Sequence, residues 1–291
     1  MPERNVMTIV PKLAGPIVKV DPSMSREIYL SSKGLNASSI TAGLEKRNFY
    51  PLHTKHAYED TTDSVGDHFD FGTLGHMLCF EPGRVSTDVA IWDGGRRAGA
   101  QWSDFKDNNE GKLIVKKETF AEAMAALMPL IGLQEFRDHT ASGSAEVAVF
   151  GEYNGLQLRG QVDWLSTSIP SHWDLKTSRD IRPEPFGRQF FSLHYDLKMA
   201  FYRELLRQNG LDLEEHCIAA IRNKAPWDAV LYKIPEEVLD RGWEQMKTLM
   251  DAIIECAAVD MWPGAGLGSA WGDLVIPYYA MEEQDQVDWS A

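Results

Sequence analysis

The dipeptide Asn154-Gly155 does most to limit what this chain can fold into. Both residue types tolerate a left-handed backbone, so between two apolar runs they predict a tight hairpin turn. The runs cover residues 145–150, which include Glu146, and residues 156–163, which end in Gly160-Gln-Val-Asp163; a third strand is expected at residues 173–177. Side chains alternate faces along a strand, so Asp174 and Lys176 project together while Leu175 projects to the other side. Asp163 needs only the adjacent strand to join them. Two carboxylates and one ammonium so placed suit the binding of Mg²⁺ and the cutting of a phosphodiester.

The surrounding pattern predicts a mixed sheet flanked by helices. Ser32-Lys-Gly-Leu-Asn36-Ala-Ser-Ser reads as a helix start with Ser and Asn as N-caps, the helix reaching Arg47. A polar loop is expected over residues 54–69. A buried helix over residues 71–82 follows, with Thr73 near its start, Pro82 at its end and His76 held in the interior. Residues 92–110 read as a surface loop with a short helix. Over residues 117–133, Phe120, Met124, Leu127, Met128 and Ile131 form one apolar stripe, expected in the core. One long helix is expected over residues 184–208, with Pro183 and Pro185 at its start and Gly210 past its end. Strands over 215–223 and 229–234 flank a turn at Ala225-Pro-Trp-Asp228, and a closing helix runs from Pro235-Glu236-Glu237 to Val259. The last stretch, 264–291, reads as irregular.

At 291 residues and 44% hydrophobic, with no long segment both apolar and uncharged, the chain is expected to be one soluble domain in the cytoplasm with no membrane partner. Pro2-Glu3-Arg4-Asn5 leads into only a short apolar run, unlike a signal peptide. Cys79, Cys217 and Cys256 are odd in number and lack a CxxC pair, so neither a disulfide framework nor a cysteine-held cluster is indicated. A net charge of −14 argues against coating DNA, whose binding needs Lys and Arg to neutralise phosphates. A narrow basic channel in an acidic body reconciles the two, and Arg159, Lys176, Arg179, Arg182, Arg188 and Lys198 crowd the candidate site.

Read from the residues alone, Asp174-Leu175-Lys176 is a common tripeptide and His76 an ordinary core histidine. In chain order, however, Gly72-Thr-x-x-His76-x-x-x-x-Glu81-Pro82, Glu146, Gly160-x-x-Asp163, Asp174-x-Lys176-Thr177, Tyr195 and Ala200-Phe-Tyr202 resemble the exonuclease VIII (RecE-type) branch of the P-D-(D/E)-x-K nucleases. The similarity reaches forward to Ser31-Ser-Lys-Gly-Leu35 and covers roughly residues 25–205. Each piece is short; five in the right order are specific.

The resemblance implies an α/β, restriction-endonuclease-like core over residues 71–262, with an N-terminal extension over 1–70 and a tail over 263–291. It implies a Mg²⁺ or Mn²⁺ site formed by His76, Asp163, Asp174 and the main-chain carbonyl of Leu175, with Lys176 catalytic and two-metal hydrolysis. Glu146 and Tyr202 are further catalytic candidates, and Arg159, Arg179, Arg182, Arg188 and Lys198 are candidate DNA contacts. The activity implied is 5′-to-3′ resection of linear double-stranded DNA ends in a bacterial host cell, by a homo-oligomeric ring that passes 3′ tails to a single-strand annealing protein of the RecT kind. One departure stands out. Related nucleases carry Gln-x-x-x-Tyr on the helix after the catalytic strand, and here Lys198 takes the Gln position ahead of Tyr202. Two alternatives stay open: another RecB-like nuclease, endonucleolytic or single-strand-directed, or an inactive nuclease-fold protein that binds or assembles on DNA.

Overall fold

In a computed structural model that describes residues 19–46 and 67–262, Asn154 and Gly155 take φ of 47° and 83°. They turn β4 (Gly143–Tyr153) back onto β5 (Leu156–Ser166), as two positive-φ residues in a hairpin do. β6 (Ser171–Ser178) follows on the other side of β5, then β7 (Glu215–Arg222) and β8 (Ala229–Lys233), while β1 (Lys19–Asp21) pairs outside β4. The sheet order is β1-β4-β5-β6-β7-β8; β6 and β7 are parallel, and all other neighbours are antiparallel.

Helices cover both faces. On one lie α2 (Ala37–Lys46), α8 (Tyr195–Gln208) and α9 (Glu236–Val259). Leu197, Phe201 and Leu205 recur every four residues along α8 and are fully buried against Val147, Val149 and Leu158. A short helix α1 (Arg26–Ser31) precedes this layer. Asn36 caps α2, its Oδ1 accepting the Ser39 N–H at 2.8 Å, as its residue type favours.

The opposite face carries α3 (Asp67–Phe80), α5 (Lys117–Gly132) and α6 (Gln134–Thr140). Helix α3 begins six residues ahead of Thr73, so Thr73 lies inside it rather than at its start. Of the expected polar loop, residues 54–66 lie outside the described residues, as does the expected irregular stretch at 264–291. On α5 the expected stripe is corrected. Met124, Met128 and Ile131 are exposed, and the buried face is Ala123, Ala126, Leu127 and Leu130. Small alanines let the helix lie close to the sheet, so size-weighted periodicity picked the wrong face.

Two further corrections concern connections. The single helix expected over 184–208 is two, α7 (Pro183–Ser192) and α8, because His194 takes a left-handed φ of 56° and ends α7. Over 92–110 the expected short helix is α4 (Ala100–Asp107), and what was not expected is the pair of four-residue strands flanking it, β2 (Val89–Trp92) and β3 (Leu113–Lys116), which pair in parallel with each other alone among the described residues. No helix among the described residues is long and apolar enough to cross a membrane.

Candidate active site

β5 and β6 are hydrogen-bonded only where Trp164, Leu165 and Ser166 face Trp173, His172 and Ser171. Beyond that the strands part. Asp163 spans the gap, its Oδ2 accepting the Leu175 N–H at 2.9 Å. Farther along, Leu35 occupies the vacated edge of β5: its N–H donates to the Gln157 carbonyl at 2.9 Å, and its carbonyl accepts the Arg159 N–H at 3.0 Å. The candidate site lies in this fork.

Alternation also fails at Glu146, which stands opposite Asp163. Ala145 and Trp164 pack in the α3–α5 layer, whereas Val147 and Val162 pack in the α8 layer, so the pleat reverses between them. Glu146 makes the reversal with a φ of 49°, a strained region for a residue with a β-carbon and one that gathers at functional sites. From α3, His76 brings its Nδ1 to 3.0 Å from Asp163 Oδ2. Donor atoms of His76, Glu146 and Asp163 all lie within 4.8 Å of one another. Glu146 therefore enters the three-donor group, and Asp174, expected there, stands outside it.

Asp174 points into the α8 side of the sheet between two ammonium groups. Lys176 contacts its Oδ2, and Lys198 of α8 lies 3.1 Å from its Oδ1. Burial would raise the Asp174 carboxyl, but the two lysines outweigh it and hold the group well below the usual carboxylate range. Burial pulls Lys176 below its ordinary value, against the opposing charge of Asp174. Burial also works against a charged Lys198, yet Asp174 leaves it well above its ordinary value. In the three-donor group, burial and then the Asp163 charge push Glu146 up to about 7. Burial lowers His76 too, but Asp163, by charge and hydrogen bond, brings it above its usual value.

A cavity of about 280 Å³ opens onto this cluster. His76, Lys176 and Lys198 line it, together with Ser38 and Thr41 from the first turns of α2 and His194 and Tyr195 from the start of α8. Sequence reasoning missed Ser38 and Thr41; their signal was the Asn36 cap, which marks where the helix begins. Tyr195 lies under Lys176, ring centroid to Nζ 4.9 Å. Tyr202 is not on the cavity wall. It is buried behind Lys198, its ring 5.4 Å from Nζ, and it packs on Gly160, where a β-carbon would sit 2.8 Å from the ring.

The candidate DNA contacts separate. Lys198 faces the cavity, and Arg179, Arg182 and Arg188 are exposed, Arg182 paired with Asp180 at 2.5 Å and Arg188 with Glu184 at 2.6 Å. Arg159 is corrected: it is 2% exposed, and its guanidinium donates to the carbonyls of Tyr29 (2.6 Å) and Leu30 (2.9 Å) over the Tyr29 ring, so it ties α1 to the sheet instead of meeting phosphate.

A mixed sheet whose splayed strands present Asp163, Asp174 and Lys176 is the arrangement of a P-D-(D/E)-x-K nuclease. The family described as a PDDEXK-like domain of unknown function (DUF3799) matches residues 52–268, and the chain belongs to that family. A candidate exonuclease from Eubacterium rectale has a similar structure, with a TM-score of 0.60 at 17% identity, covering 91% of this chain and 99% of that one. The likeness shows a shared fold. The structure of SSO0001 matches over 68% of this chain and 96% of that one at 14% identity, with a TM-score of 0.28 too low to bear on the fold. No curated protein sequence matches the chain. Nucleases of this superfamily use divalent metals, and one imidazole with two carboxylates, gathered beside a cavity, fits such an ion.

Proposed function

We propose that the protein is a Mg²⁺- or Mn²⁺-dependent exodeoxyribonuclease of the exonuclease VIII type, resecting linear duplex DNA from 5′ to 3′. The observation that carries this reading is the fork itself, in which Asp163 and Asp174 face Lys176 beside the His76–Glu146–Asp163 group. His76, Glu146 and Asp163 would hold the ion. Bound there, a divalent ion lowers the pKa of water and offsets charge on the phosphate.

The chain's own groups do the rest. Asp174 fixes Lys176 at the cavity wall, and the Tyr195 ring supports it from below. From that position Lys176 orients the attacking water and offsets charge as the new P–O bond forms and the old one breaks. Lys198 and the α2 hydroxyls of Ser38 and Thr41 receive the phosphate oxygens. An acidic exterior, at a net charge of −14, discourages DNA from adhering elsewhere and confines it to this cleft. The exonuclease name borne by the Eubacterium rectale protein agrees with attack at ends. In this reading the enzyme acts in the bacterial cytoplasm as a homo-oligomeric ring, and its 3′ tails pass to a single-strand annealing partner.

Digestion of linear duplex labelled separately at each 5′ and 3′ end, beside closed circular DNA, tests the proposal. Early release of the 5′ label with circles left intact is expected. Rapid cutting of circles would make the protein an endonuclease.

A further inference from the structure

Asp174 is the most enclosed carboxylate of the site, its side chain 1% exposed, yet it takes no part in the three-donor group. Its oxygens are spanned instead by two ammonium groups on different elements, Lys176 of the same strand and Lys198 of α8. Lys198 sits one helical turn ahead of Tyr202. That ring lies 5.4 Å from its Nζ and holds the side chain toward Asp174, 3.1 Å away, while it also lines the cavity.

We propose that Lys198 is the second cation of the site, standing where a second divalent ion would otherwise bind, so that one metal ion suffices. The inference rests on the metal-dependent reading above and replaces the two-metal arrangement expected from family resemblance. Its physical basis is charge and occupancy. An ammonium donates hydrogen bonds and cannot ligate a cation, so the Asp174 oxygen that Lys198 faces is already engaged. A second ion beside Asp174 would also lie close to two positive side chains in a poorly hydrated pocket, where like charges repel strongly.

The charge balance points the same way. With an ion held by neutral His76 and ionised carboxylates, Glu146, Asp163 and Asp174 would supply three negative charges, and Lys176 and Lys198 two positive ones. One divalent ion and one phosphate monoanion then bring the cluster to neutrality, whereas a second ion would leave it positive. Lys198 thus provides, as part of the fold, a phosphate-facing cation that a two-ion nuclease must recruit from solution.

The test counts Mn²⁺ ions per chain by isothermal titration calorimetry, on the full-length wild-type protein and on Lys198→Gln and Lys198→Arg. One ion is expected for the wild type, two for Lys198→Gln, in which a neutral amide frees the Asp174 oxygen, and one for Lys198→Arg, in which the charge remains. Two ions in the wild type or in Lys198→Arg, or a single ion in Lys198→Gln, would overturn the role of Lys198 while leaving metal dependence intact. No ion in the wild type would overturn the metal-dependent reading itself. The wild-type count can reject the inference without any variant, so the test does not hinge on how Lys198→Gln folds.

Discussion

The Asp163 carboxylate accepts the main-chain N–H of Leu175 at 2.9 Å, and the same oxygen lies 3.0 Å from His76 Nδ1. One side chain thus closes the gap where two strands part and, in the proposed function, would also serve as a metal-binding donor. These roles separate by substitution. Asp163→Asn keeps an acceptor for the buried amide but loses the charge, so Mn²⁺ binding should weaken more than tenfold with the fold largely retained. Asp163→Ala should lose the same binding and be less stable than Asp163→Asn by about 1–3 kcal/mol, the cost of an orphaned buried donor. Urea unfolding and Mn²⁺ titration of both variants check this; equal stability would contradict it.

Gly160 leaves room for Tyr202, since a β-carbon there would sit 2.8 Å from the ring. Gly160→Ala should therefore cost about 1–3 kcal/mol by overpacking and displace the helix face that carries Lys198. Thermal unfolding reads the first effect, and a weakened affinity for DNA ends reads the second. A variant as stable and as tightly binding as the wild type would show that the contact is slack.

His172 and His216 form a buried pair, Nδ1 to Nδ1 2.7 Å, on the strand face that carries Asp174. Such a contact needs one N–H and one lone pair, so a proton added to the accepting nitrogen sets two donors against each other. Burial lowers both imidazoles, His172 well below the usual range and His216 to about 4, with each charge further opposed by its surroundings. The unfolded chain takes up these protons near pH 6.5, so stability is fully present above that value and falls as pH drops toward the folded pKa. His216 alone should contribute a loss of about 2 kcal/mol by about pH 5. Urea unfolding from pH 8 downward measures it, and the slope should be shallower in His216→Gln.

Arg159→Met should separate a structural arginine from a DNA-binding one. It removes two hydrogen bonds that tie α1 to β5, and a loss of about 1–3 kcal/mol is expected. The salt dependence of DNA binding should stay unchanged, because a phosphate contact would alter that slope by about one unit. A reduced slope would restore Arg159 to the interface.

The sequence carried the hairpin, because Asn-Gly states its own backbone conformation, and it carried the strand that bears Asp174 and Lys176, because alternation is local. It also placed His76 and Lys198 near the site, through motif order. What it could not carry depended on tertiary geometry. Nothing in residues 145–147 announces that Glu146 adopts a positive φ and reverses the pleat, since glutamate has no preference for that region. His194 takes a left-handed φ and separates two helices with no Gly or Pro at the break to announce it. The outward face of α5 holds Met124, Met128 and Ile131, larger than the alanines that are buried, so apolarity alone misled. Arg159 looked like a phosphate contact because nothing in its strand reveals the Tyr29 ring lying over it.

In the proposed function the forked strands make a metal-dependent phosphodiesterase in which Lys176 acts at the phosphate. The most direct measurement is the rate of nucleotide release from linear duplex DNA by wild type and Lys176→Ala, each with Mg²⁺ and with EDTA, after circular dichroism has shown both to be folded. The wild type should be active only with metal, and the variant should lose at least a hundredfold of that rate. Activity that survives EDTA, or a Lys176→Ala rate equal to the wild type, would contradict it.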